Sequence, residues 1–328
     1  MKLRTKTIEK KNEGLEEDQA DKNIVYRDYF DDDDERIQEF FQQSYAIKGP
    51  DYSWMIDRWN FTRSVSRCMH GLTIDEWNDR VMVIEEKGNI IAVVNSEGEN
   101  QGEAFFQLIR DDYDHETISK MFDFAEERLT LESEDGRYIH LRLKPECNSF
   151  VEEALKRGYE LQDWKEPSAE MTITEGTNLD YVLPKGYKFV SGNKLSGKAK
   201  AVVHRMAFGY DDPSKVLEKR AAIGFKTMEI QPYYNAFLDL MILNDQDEAV
   251  CFANFWYDSV NKVGILEPLG THRDYRKMGL AKACVYEGIK RCMALGATTI
   301  NVGSDQDFYK AVGFKVVSYT NIYKKTFS

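Results

Sequence analysis

An α+β architecture of two units, each a mostly antiparallel mixed sheet flanked by helices, is the fold the sequence predicts. Three observations point there. The chain has 328 residues, the length of about two domains, each large enough to bury its own core. Runs of strand period and helix period follow one another in a similar order in both halves. A helix stopped by glycine also recurs at matching places, Leu155-Lys156-Arg157-Gly158-Tyr159 and Lys310-Ala311-Val312-Gly313-Phe314. The pattern reads as a diverged tandem duplication: a flexible segment 1–22, a first unit 23–175, a linker 176–186 and a second unit 187–328.

The elements follow in order. The segment 1–22 is polar and is expected to fray. Ile37, Phe40 and Phe41 have helical spacing within 33–45, behind the acidic run 31–35 that suits a helix N-terminus. Strands are predicted at 81–85 and 90–95, joined as a hairpin around Lys87-Gly88-Asn89, then at 104–109. Ile118, Met121, Phe122, Ala125 and Leu129 share one face of a helix over 117–129. A strand over 138–143, a helix over 150–157 and a last strand at 171–173 complete the unit. The linker carries Gly176, Pro184 and Gly186. The second unit reads as strand 188–191, helices 197–208 and 214–224, and strands 236–243, 249–257 and 262–269. Helix 279–295, strand 298–302, helix 305–312 and closing strands 314–320 and 322–325 follow.

Composition narrows the function classes. Hydrophobic residues are 42% and charged residues 30%, as in a globular protein. The net charge of -12 disfavours nucleic acid and anionic membranes over the general surface and mildly favours cationic substrates such as amines. No apolar run reaches the roughly 18 residues of a membrane span, and the first 23 residues contain no apolar signal-peptide region. Five scattered cysteines without a CxxC pair read as reduced thiols of a cytoplasmic protein. Five histidines form no HExxH or HxH array, so no metal is expected. The aromatic cluster Tyr52, Trp54, Trp59 and Phe61, with Arg58 and Arg63, is expected to form core and domain interface, with a cleft wall as the alternative. His272-Arg273-Asp274 looks like a kinase triplet, but Gly279 stands where a kinase needs asparagine.

Chemistry concentrates in 265–281, where an apolar strand runs into a basic turn and then a helix rich in small residues. Unpaired amides and the positive end of a helix dipole make such a turn an anion site. Gly279 lets backbone approach a phosphate, and Arg273, Arg276 and Lys277 add positive charge. Arg276-x-x-Gly279-x-Ala281 resembles the (Gln/Arg)-x-x-Gly-x-(Gly/Ala) pyrophosphate loop of the GCN5-related N-acetyltransferase (GNAT) superfamily. Phe308-Tyr309-x-x-x-Gly313-Phe314 is similar to that family's later (Leu/Phe)-Tyr-x-x-x-Gly-Phe motif. The resemblance is specific over about 262–326 and fainter over 187–261.

It implies acetyl-CoA as co-substrate and a small-molecule amine as acceptor. The backbone of Leu269, Gly270 and Thr271 would hold the pantetheine arm like an added strand, with the Leu269 N–H polarising the thioester carbonyl. Amides of Arg276, Lys277, Met278, Gly279, Leu280 and Ala281 would wrap the pyrophosphate. Tyr309 takes the place of the acid that protonates the departing thiolate. Glu267, two residues before Leu269 and expected on the same face of the strand, is the candidate base, with His272 in the turn as the other. The segment 303–307 lacks the asparagine many members carry, and Ser304 is read as a helix cap instead. In the first unit Asp111, Asp112 and Asp114 stand where a pyrophosphate would sit, so that unit is expected to be degenerate and to wall the substrate cleft. The rival function is a non-catalytic sensor of acyl-CoA.

Overall fold

The last strand of each unit crosses into the other. In the computed structural model, which describes residues 24–97, 102–134, 136–209 and 215–327, both halves share one continuous sheet. The segment 1–22 and Ser214 lie outside the described residues. In the first half, β1 (Ile24–Asp28), β2 (Val81–Glu86), β3 (Asn89–Asn95) and β4 (Glu103–Leu108) pair antiparallel. Helix α5 (His115–Arg128) then carries the chain to β6 (Gly136–Leu143), which pairs parallel with β4. The short β5 (Leu131–Ser133) flanks β6. The second half repeats this order. β8 (Lys188–Ser191), β9 (Asp239–Leu243), β10 (Ala249–Asp258) and β11 (Val263–Thr271) are antiparallel, and α9 (Leu280–Ala294) leads to β12 (Thr299–Val302), parallel to β11. A parallel pair needs such a crossover.

The exchange joins the halves. After α6 (Asn148–Lys156), β7 (Glu160–Thr172) pairs with β12; after α10 (Asp307–Ala311), β13 (Lys315–Phe327) lies between β6 and β7. The predicted mixed, mostly antiparallel sheets are thus present as halves of one sheet. Two strand predictions change. The strand expected at 171–173 begins at Glu160, and its early residues are largely exposed on both faces, which removes the apolar alternation that marks a half-buried strand. The strands expected at 314–320 and 322–325 are one strand, kinked where its register slips at Val316/Ser318 and Asn321/Tyr323.

The aromatic segment folds into helices the sequence patterns did not mark. α1 (Asp34–Lys48) is followed by α2 (Ile56–Phe61), a π-helical turn at 62–66, α3 (Arg67–His70) and α4 (Ile74–Asn78), the last started by a Thr73–Glu76 capping box. Trp59 and Trp77 are fully buried and pack edge-on with each other and with Tyr29. Ile56 and Val65 pack with Ala201, Ala221, Phe225, Trp256 and Ile265 of the second half, on α7 (Gly197–Phe208), α8 (Lys215–Met228), β10 and β11. The interface is therefore a core in its own right.

Truncation after Phe314 removes the strand between β6 and β7 and is expected to collapse both halves. Hydrogen exchange of the truncated chain would show lost protection in β6 as well as in β7 and β12.

Candidate active site

β11 pairs with β12 only over Val263–Ile265 and then diverges, leaving Leu266 to Thr271 without a partner on that side. The His272 N–H donates to the Val250 carbonyl at 2.8 Å. Successive amides of a strand point to opposite sides, so those of Leu269 and Thr271 face the gap. Gly270 lets the strand lie close to α7: a Cβ there would sit 2.4 Å from the Phe252 ring and 2.8 Å from Ala207. The register against β10 slips between Phe255↔Leu266 and Ala253↔Leu269, around a cis Glu267–Pro268 bond. This slip breaks the alternation that was expected to place Glu267 and Leu269 on one face. Glu267 lines a cavity, whereas Leu269 packs on the second unit's core. The Glu267 carbonyl accepts from Trp256 Nε1 at 3.0 Å and from Asn254 Nδ2 at 3.4 Å.

Beyond the gap the chain turns into α9. His272, the other candidate base, accepts the Asp274 N–H on its Nδ1 at 3.2 Å and stands its ring edge-on to Tyr275, so it caps the turn. Arg276 donates to the Ala207 carbonyl at 2.6 Å and to the Thr271 carbonyl at 3.4 Å, tying the loop to α7 and β11. Lys277 and Gly279 both have positive φ, 63° and 79°; no protein atom lies within 4 Å of where a Gly279 Cβ would be. The amides of Gly279, Leu280, Ala281 and Lys282 donate to no backbone or side-chain group among the described residues, as the first turn of a helix dictates. Met278 and Lys277 are exposed beside them. The site is an open cradle of N–H groups at a helix N-terminus with the geometry for a diphosphate.

At the inner end of the gap lies a cavity of about 510 Å³ walled by both halves. Glu267, Ile265 and Val302 come from the second half, Asp57, Arg58 and Phe105 from the first, and Glu166 from the exchanged strand. Burial first, then the charge of Asp57, opposed by Arg58, pushes the Glu267 carboxyl up to about 8. Burial also pushes Asp57 up to about 6, against the pull of nearby amides and Arg58. Arg58 pairs with Glu97 and, at 3.4 Å, with Glu166; Arg142 pairs with Glu166 at 3.0 Å and with Glu103 at 2.6 Å. Both guanidinium groups lie on the Phe105 ring. Tyr309, on α10, packs edge-on to Phe308 and Phe314. Burial, then the Glu267 charge, raises its phenol above the ordinary value, so it stays protonated. Ser304, expected to cap α10, accepts instead from Gln306 at 3.3 Å; Gln306 is the cap residue and makes no side-chain cap bond.

The sequence reading brought Glu267 and Tyr309 to one place but missed Asp57, Glu97, Glu103, Arg142 and Glu166. They are scattered over four elements and the loop after β3, and only the fold collects them. Of the aromatic cluster, Tyr52, Trp54, Phe61 and Arg58 do line the cavity, Trp59 is core, and Arg63 pairs with Asp31 at 3.1 Å.

The first half closes the equivalent site upon itself. Its β4 also leaves β6 after Phe105, but the Leu108 N–H is taken by the Tyr52 carbonyl at 3.0 Å and Ser53 Oγ at 2.9 Å. Asp114 Oδ1 accepts the Thr117 N–H at 2.8 Å, placing a carboxylate where an anion would bind α5. Asp111 pairs with Lys48.

A mixed sheet parted between two parallel strands, with a helix opening on unpaired amides at the gap, can hold an extended ligand that ends in an anionic group. Residues 211–314 match the Acetyltransferase (GNAT) family. No curated protein matches the sequence. Among solved structures, a GCN5-related N-acetyltransferase from Sphaerobacter thermophilus is 13% identical with a TM-score of 0.58, over 92% of this chain and 95% of that one. A tandem GNAT protein from the clavulanic acid biosynthesis pathway is 10% identical with a TM-score of 0.58, over 92% and 98%. The N-myristoyltransferase of Saccharomyces cerevisiae is 10% identical with a TM-score of 0.54, over 92% and 80%. At such identities the likeness is one of fold. Residues 211–314 therefore carry a match to the GNAT family domain, and the chain as a whole shares the fold of these proteins. Among the described residues no helix is long and apolar enough to cross a membrane.

The raised Glu267 carboxyl has a consequence for stability. The native state holds this proton more tightly than the unfolded chain, so stability from this group is full below the ordinary carboxylate range and is lost as pH rises through about 8. Glu267→Gln is expected to remove that loss and to melt above the wild type at pH 9, in thermal denaturation followed from pH 5 to 9.

Proposed function

We propose that the protein transfers an acetyl group from acetyl-CoA to a primary amine of a small molecule by direct attack. The observation that carries this reading is the cradle of free amides at Gly279–Lys282, opening beside an unpaired stretch of β11 that ends at a carboxyl-lined cavity. The open space at Gly279 and the amides of 279–282 fit a diphosphate, with Arg276, Lys277, Met278 and Ala281 completing the turn. The gap-facing amides of Leu269 and Thr271, around Gly270, fit the amides of a pantetheine arm. The division into units 23–175 and 187–328, with 176–186 as linker, belongs to the same reading, the first unit serving as the acceptor's wall. The five free cysteines agree with a cytoplasmic protein.

The proton steps follow from the two raised groups. Glu267, ionised above about 8, accepts a proton from the substrate ammonium ion and frees the nitrogen lone pair. The Leu269 N–H stabilises the oxygen that becomes negative as nitrogen adds to the thioester carbonyl. When the C–S bond breaks, Tyr309 gives its phenol proton to the thiolate, and the second proton that the nitrogen sheds as it becomes an amide passes to solvent, from which Tyr309 is reprotonated. Its raised pKa keeps the phenol protonated until that moment; transfer to a thiolate, whose thiol has the lower pKa, near 8.5, is uphill and is drawn forward as the thiol departs and the phenolate is reprotonated.

Tyr309→Phe is expected to lower kcat by about 100-fold or more while calorimetry shows acetyl-CoA binding retained. A protein that only senses acyl-CoA would be indifferent to this change in its response. Gly279→Val places a branched side chain at φ 79° in the cradle and is expected to weaken acetyl-CoA binding by about tenfold or more. Wild-type kcat/KM should rise with pH along a limb near 8 that Glu267→Gln abolishes.

A further inference from the structure

One carboxylate beside Glu267 has no part in the steps above. Asp57, in the first turn of α2, is only 7% exposed and lines the shared cavity. Its Oδ1 has no hydrogen-bond partner among the described residues. An unmet acceptor on a buried carboxylate costs stability unless something arrives to meet it. The other charges around it are occupied with one another: Glu97 and Glu166 with Arg58, Glu166 and Glu103 with Arg142. Lys144, also on the cavity wall, donates to Ser318 Oγ at 3.2 Å. Among the described residues Asp57 and Glu267 are therefore the carboxylates of the cavity wall with no ion-pair partner within contact distance, and Asp57 is the strongest charge acting on Glu267. Other parts of the wall are apolar, with Phe106, Leu143 and Phe150 of the first half.

The geometry points to a primary amine on an apolar body as the acceptor, its ammonium group seated on Asp57 beside Glu267 and its body along the wall that the first half supplies. This rests on the acyl-transfer reading. The seated ammonium donates to the unmet Oδ1. One N–H bond breaks, its proton passes to Glu267, and the neutral amine keeps the electron pair for attack. Asp57 stays ionised, so the net charge of the three groups is unchanged by the transfer.

The test uses the full chain with three probes at pH 7: phenethylammonium, methylammonium and phenethyl alcohol, their affinities read from thermal shifts, with acetyl-CoA binding measured separately by calorimetry. The wild type should bind phenethylammonium better than either other probe. Asp57→Asn should weaken phenethylammonium by about tenfold or more and move the pH limb of turnover below 8. A purely structural role would leave that limb in place. Alcohol binding as well as ammonium, methylammonium binding as well as phenethylammonium, no probe binding, or an unchanged Asp57→Asn would each overturn the proposal. If Asp57→Asn fails to fold, the wild-type ranking of the three probes decides alone. Failure of acetyl-CoA to bind would bring down the acyl-transfer reading itself, whatever the amines do.

Discussion

The exchange of β7 and β13 is the constraint on which the rest depends. With each strand hydrogen-bonded into the opposite half, the two sheets have no free inner edges and cannot drift apart without breaking ladders on both sides. That fixes the cavity between them. Glu166 to Ser168 of β7 and Thr320 of β13 are part of its wall, so the joint between the halves is also a surface of the site. The α2–α3 segment of the first half, packed on α7, α8 and β11 of the second, delivers Asp57 and Arg58 to the same place.

Charge burial gives this cavity its chemical character. Removing a carboxylate from water favours its protonated form, and a neighbouring carboxylate adds to the effect. Glu267, Asp57 and Glu103 all hold their protons more tightly than an exposed acid, while Glu166, beside both arginines, holds its own less tightly. Groups of one chemical type are thus split into occupied ion-pair partners and poised acids. Such perturbed groups cluster where proton transfer is required, and here they gather at the end of the parted strands.

The two halves finish the same architecture in different ways. Both part a parallel strand pair and start a helix beyond the gap. In the second half the helix amides of 279–282 stay unmet. In the first, Asp114 supplies a carboxylate to its own helix, and Tyr52 and Ser53 occupy the Leu108 amide. A few side chains thus turn an open cradle of amides into a closed cap.

Much of this was legible in the sequence because it is local. Glycine-stopped helices, the period of the meanders and the turn from Arg276 to Ala281 depend on neighbours in the chain, and they located the helix opening, Tyr309 and Glu267. The acidic residues of 111–114 likewise mark the turn in which Asp114 caps its own helix. Strand exchange left no such mark: β7 is exposed along much of its length and carries no alternating pattern, and the partner of an edge is a choice among distant strands. The register slip at Pro268, which parts Glu267 from Leu269, depends on pairing with β10. The gathering of Asp57, Glu97, Arg142 and Glu166 around Glu267 is likewise decided by tertiary structure alone, because electrostatic environment is set by distance in space and burial, and neither is written in the order of residues.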